Sequence, residues 1–194
     1  MRVDQGAQRA VPLSRGSLLL ANRKFLEVNY GEEAFPEVVA RMRGPHAPVL
    51  NGIVLPGNWY PTALMVDMVD AAVAVFGQND DKFLYRLGVF NADYDLKGIH
   101  KFVLRFTSPL WVLERGAKLW SDFHNTGAWT IESPDPRRLI GTLRDFAGQT
   151  ANQCQATCGF LARMGQLTGA RQVRIEHPVC CSAGAAACVF RADW

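Results

Sequence analysis

The chain has 194 residues, 48% of them hydrophobic and 20% charged, with 21 basic and 18 acidic side chains for a net charge of +3. That length fits one domain able to bury a core without disulfides. The basic residues are scattered rather than gathered into the stripe a nucleic-acid surface requires, so that role is excluded.

No apolar run approaches the roughly 18 residues of a membrane span. The opening MRVDQGAQRAVPLSRG lacks the apolar segment of a secretory leader. The expectation is a cytoplasmic protein whose five cysteines stay reduced. Residues 1–15 read as a flexible polar extension and 16–194 as a single domain.

SLLLANRKFLEVN, residues 17–29, reads as the first helix, with Gly31 as its break. In GEEAFPEVVARM, Phe35, Val38, Val39 and Met42 fall on one face of a second helix. A loop dense in Gly and Pro follows. Pro61 then opens a helix over 61–76. Its apolar stripe is Leu64, Met65, Met68, Val69, Ala72, Val73 and Phe76, with Asp67 and Asp70 turned to water. Asn79 is placed to cap the next helix, which carries Phe83, Leu84 and Leu87. GIHKFVLRF continues helically with Ile99, Phe102, Val103 and Phe106 on one side. Ser108-Pro109 starts another helix bearing Leu110, Leu113, Ala117 and Trp120.

After Gly127 the pattern changes. AWTIES and RRLIGTLRDF read as strands, and Thr150-Ala-Asn-Gln153 as a capping box that begins a helix over 151–168. RQVRIEH and AACVFRADW are two short strands joined by a turn. Helices first and strands later define an α+β fold, an antiparallel sheet covered by a helical layer.

The last hairpin concentrates the chemistry. In RIEHPVCCSAGAAACVF, His177 alternates onto the inward face, Cys180 follows in the turn, and Cys188 shares a face with Phe190. Cys154 and Cys158 lie four apart on one side of the preceding helix and offer a fourth donor. Zinc takes such thiolate and imidazole donors tetrahedrally. The plainer reading is packing, since free cysteine behaves as a small buried hydrophobe and inward histidines are commonly hydrogen-bonded core residues.

Trp59, Tyr60, Trp111, Trp120, Phe123 and Trp129 gather at element boundaries, where each alone reads as packing. Together with Phe102 and Phe106 they suit the lining of an apolar cavity between helices and sheet. His100 borders that stripe and would meet a ligand's polar end, or sit at the surface. No phosphate loop, dinucleotide glycine pattern or HExxH is present, so no enzyme is expected.

The run CGFLARMGQLTGARQVRIEHPVCCSAGAAACVFRADW resembles the C-terminal half of a 4-vinyl reductase domain. GNWYPTALMVDMVDAAVAVFG, with YRLGVFNADYDLKGIHKFVLRFTSPLWVLERGAKLW, resembles an uncharacterised myxobacterial relative of it. In the phenol-sensing activators that carry this domain, zinc is held by Cys-x22-Glu-x2-Cys-x7-Cys. The resemblance implies a structural zinc at Cys154, His177, Cys180 and Cys188, with histidine replacing glutamate. Four protein ligands leave no open position for catalysis, so the ion would staple the C-terminal hairpin to the helix.

The resemblance also implies a cavity for a small apolar or planar molecule, lined here by His100, Phe102, Phe106, Trp111, Trp120 and Trp129. Trafficking-complex (TRAPP) subunits share that fold. The expectation is a non-catalytic sensory domain with a structural zinc. The alternative is a homodimeric scaffold, or a surface for a signalling partner, without ligand.

Overall fold

The computed structural model describes residues 11–95 and 109–194. The helical half forms where apolar residues recur at helical spacing, and its elements are α1 (Gly16–Tyr30), α2 (Ala34–Arg41), α3 (Thr62–Ala72) and α4 (Phe83–Asp95). The stripe read on α3 is the buried one: Leu64, Met65, Met68, Val69 and Ala72 all face the core. A π-helical turn, Val73–Gly77, ends that helix earlier than the pattern suggested.

Phe25 of α1 is the hub. It makes edge-to-face contacts with Phe83 at 5.5 Å and Phe90 at 5.6 Å. Asp67, expected in water, instead accepts the Gly44 backbone N–H at 2.7 Å and fixes the loop after α2.

Leu13–Arg15, read from sequence as the end of an extension, forms strand β1 and pairs antiparallel with β2, Trp59–Pro61. The later half holds α5 (Pro109–Phe123), β3 (Ala128–Asp135), β4 (Arg138–Arg144), α6 (Ala151–Leu167), β5 (Arg174–Val179) and β6 (Cys188–Asp193). The four long strands form one antiparallel sheet in the order β3-β4-β6-β5. Both edge strands have broken register, between Glu132 and Asp135 in β3 and between Glu176 and Val179 in β5. The fold is therefore α+β with helices and antiparallel sheets, as expected.

Only half of the predicted capping box forms on α6. Thr150 Oγ1 accepts the Gln153 backbone N–H at 3.2 Å, while the Thr150 backbone N–H donates to Gly148 O at 3.0 Å rather than to the Gln153 side chain.

Helix α6 joins the two halves. It lies against α4 on one side and against β5 and β6 on the other. The contact with α4 is backbone to backbone: a methyl carbon at Gly88 would stand 2.7 Å from Phe160 N, and one at Gly159 would stand 2.8 Å from Tyr85 C. The missing side chains let the helices approach and set α6 over the sheet, with Cys154 pointing towards β6.

Candidate metal centre and aromatic junction

Cys154 comes from the first turns of α6, His177 from β5, Cys180 from the residue after β5, and Cys188 from the first residue of β6. Their side-chain donor atoms all lie within 4.8 Å of one another. The Cys154 and Cys188 sulfurs are 3.5 Å apart, and those of Cys180 and Cys154 are 3.9 Å apart. Sulfurs at about 2.3 Å from a tetrahedral metal would stand roughly 3.8 Å from each other. A disulfide needs about 2.05 Å, and all five thiols are free.

The surroundings suit a set of ligands. His177 Nε2 is buried without a hydrogen-bond partner among the described residues, and the ring stacks on Phe190 at 4.3 Å and 10°. An unpaired buried nitrogen is costly in a packed protein, so an acceptor that has no proton to bind is notable there. The Cys181 backbone N–H donates to Cys188 Sγ at 3.2 Å, and the Ser182 hydroxyl lies 2.8 Å from Cys180 Sγ.

Burial pushes the Cys188 thiol up to about 11 and raises Cys154 well above the usual thiol range. At Cys180 burial is the largest single effect and acts upward, but hydrogen bonds with Ser182, Cys154 and Cys188 together leave the thiol lowered. The buried pair Cys154 and Cys188 resists becoming anionic unless a cation joins it. Cys158 stands outside the four, its thiol raised by burial to about 11, and Cys181 contributes its backbone rather than its sulfur.

A series of rings leads from this cluster to α5. Phe190 lies 5.5 Å from Trp129, Trp129 6.0 Å from Trp120, and Trp120 meets both Phe146 at 5.0 Å and His124 at 4.2 Å. The Trp120 indole N–H donates to Thr126 O at 2.8 Å. Of the predicted ligand contacts, Trp120 and Trp129 thus come together, whereas Trp111 is 47% exposed on the outer side of α5. His100, Phe102 and Phe106 lie outside the described residues. Sequence reasoning passed over Phe146, whose aromatic neighbours lie far from it in the chain.

It also passed over a buried polar knot. Ser14 Oγ lies 2.9 Å from His124 Nδ1 and 2.9 Å from Thr62 Oγ1, joining β1, α3 and the residue after α5. Burial pushes the His124 imidazole down to about 4, so it is neutral at pH 7. Ser14 is only 2% exposed, which denies it a substrate and makes the pair a structural clasp rather than a nucleophile with its base.

No family profile matches the sequence, and no curated protein does. Solved structures do match. An H-NOX protein from S. oneidensis in an Fe(II)NO ligation state shares a TM-score of 0.68 at 12% identity, over 92% of this chain and 98% of that one. The unliganded Fe(II) H-NOX protein from K. algicida gives 0.66 at 10% identity, over 92% and 95%. This chain has the H-NOX fold. A further match, studied for heme distortion in the H-NOX family, gives 0.67 at 10% identity, over 93% and 94%.

Two expectations are corrected by these matches. The fold neighbours are H-NOX proteins, not 4-vinyl reductase domains or TRAPP trafficking subunits. Spacing among four donors is a local property of a helix and a hairpin, and it does not identify the family around them. Zinc as the cofactor is corrected likewise, because the solved examples of the fold carry iron and heme. The solved neighbours are described by what they ligate. No helix among the described residues is long and apolar enough to cross a membrane.

Heme requires an axial donor beside an open apolar slot. Neither His124 nor His177 fits. His124 is clasped by Ser14 and covered by Trp120 and Phe146, and His177 is turned into the thiol cluster against Phe190. The rings at the junction close on one another, and two open hollows lie elsewhere, at the far end of the sheet.

Proposed function

We propose that this chain is a non-catalytic sensory domain that holds a small apolar or planar molecule beside α5, with its C-terminal hairpin fixed by one metal ion. The ion would be bound by Cys154, His177, Cys180 and Cys188. The observation that carries the reading is the H-NOX fold, with a ring series from Trp120 through Trp129 and Phe190 to His177 that joins α5 to the thiol cluster. The H-NOX fold around it supports a sensory role, since solved examples are described in unliganded and NO-ligated states.

Heme is the first molecule to offer the protein. With His124 and His177 otherwise engaged, His100 is the donor to test, as the histidine expected from the sequence to meet a ligand's polar end. Heme titration of the purified protein, followed by its Soret band, should saturate at one equivalent, and His100→Ala should abolish the saturable phase. Native mass spectrometry of the untreated protein gives a second readout. Finding neither a retained molecule nor saturable heme uptake refutes the ligand-holding reading.

Metal content is measured independently. About one ion per chain is expected, lost in Cys180→Ala, and a metal-free wild-type protein sinks the staple alone. The signal would pass to a second copy or a signalling protein, which light scattering with and without ligand checks.

A further inference from the structure

At the opposite end of β5 and β6 from the thiols lies a second feature that the sensory reading does not use. Cys188 and Asp193 are the two ends of β6, roughly 17 Å apart at strand rise. Beyond Asp193, two adjoining hollows of about 340 and 590 Å³ share Arg137, Arg171, Gln172 and Trp194. Both volumes fall in the usual range for small-molecule sites, about 300–1,000 Å³.

The charges there are unevenly spent. The smaller hollow is lined by four arginines against two aspartates. Asp193 pairs with Arg138 at 2.6 Å, and Arg174 pairs with Glu176 at 2.8 Å. Asp135 accepts the backbone N–H of Arg137 at 2.9 Å and lies 3.8 Å from the Arg138 guanidinium. Among the described residues the Arg137 and Arg171 guanidiniums have no ion-pair or hydrogen-bond partner. Two unneutralised cations lining the same cleft repel each other, and one bound oxyanion relieves both.

The cleft is also held in shape. The Trp194 backbone N–H donates to Arg137 O at 3.2 Å, which ties the backbone of Trp194 to the turn before β4. Gln172 adopts φ 53, a left-handed conformation uncommon for a side chain of its size, and bends the connection that carries Arg171.

We propose that this cleft binds a nucleotide-like anion, its phosphate taken by Arg137 and Arg171 and its planar ring laid against Trp194. Guanidinium forks match phosphate oxygens in pairs, and an indole face is a general stacking platform for a base.

The test is isothermal titration of the full chain with adenosine monophosphate, and separately with inorganic phosphate and with adenosine. Saturable binding of the nucleotide is expected, tighter than either part alone and weakened by salt. The double variant Arg137→Gln/Arg171→Gln should lose roughly tenfold or more in affinity. Trp194→Leu should weaken the nucleotide and leave phosphate unchanged. The two arginines are exposed, so the melting temperature of the double variant should match wild type. Absent nucleotide binding, or binding indifferent to the double variant, overturns the site. Phosphate binding as tightly as the nucleotide overturns the nucleotide assignment, and so does adenosine binding as tightly.

Discussion

Gly88→Ala adds one methyl group to α4, which in an exposed helix would stabilise by about 1 kcal/mol. Here that carbon would run into Ala156 O and stand 2.7 Å from Phe160 N and 2.8 Å from Ala156 C, all backbone atoms of α6 that cannot swing aside. Restoring ordinary contact with Ala156 O requires the two helices to part by well over about 1 Å, a gap that forfeits at least half of the dispersion energy across the seam. Overpacking of this kind costs about 1–3 kcal/mol, and immovable backbone puts Gly88 at the upper end.

The net loss, after the gain in helix propensity, is about 2 kcal/mol. For a chain of this size that lowers the melting temperature by roughly 4–8 °C. Thermal unfolding followed by circular dichroism measures it, with Gly57→Ala as control because nothing lies within 4 Å of its added carbon. A Gly88→Ala protein that melts at or above the wild-type temperature would refute the claim that close backbone approach fixes α6 over the sheet.

Three further outcomes are expected. His124 is held neutral by burial, with its value lowered to about 4 from the ordinary 6.5. Between those values the unfolded chain binds a proton that the folded chain does not. Its contribution is thus complete above about pH 6.5 and lost as pH falls towards 4, on the order of 3 kcal/mol. Urea unfolding at pH 7, 5.5 and 4.5 reads this, and the slope should shrink in His124→Gln. Thr150→Ala removes the hydrogen bond that caps α6 and should cost about 1 kcal/mol by the same method, with no change in metal content. Cys154→Ala should empty the metal site while Cys158→Ser leaves it filled, because only the former belongs to the converging set. Elemental analysis that shows the reverse would reassign the helix donor.

Local patterns were legible in the sequence and long-range placements were not. Helical spacing on α3 named its buried residues because burial of one face is what drives that helix. Strand alternation turned His177 and Cys188 inward for the same reason, and the four donors meet. Three-residue β1 was missed because a strand that short has no period, and its partner lies more than forty residues away, at Trp59–Pro61. The Gly88–Gly159 seam was invisible, since an isolated glycine in a helix does not announce which neighbour comes close. The fold family escaped because identities of 10–12% leave shape similar while almost every side chain differs.

The sheet's two margins bear on self-association. β3 carries Pro134 and β5 carries Pro178, each at the place where register breaks. A proline lacks the amide hydrogen that a newly added strand would need, and the kink turns the border away from a straight template. Lateral growth of the four-stranded sheet from one molecule into the next is thus opposed at both sides.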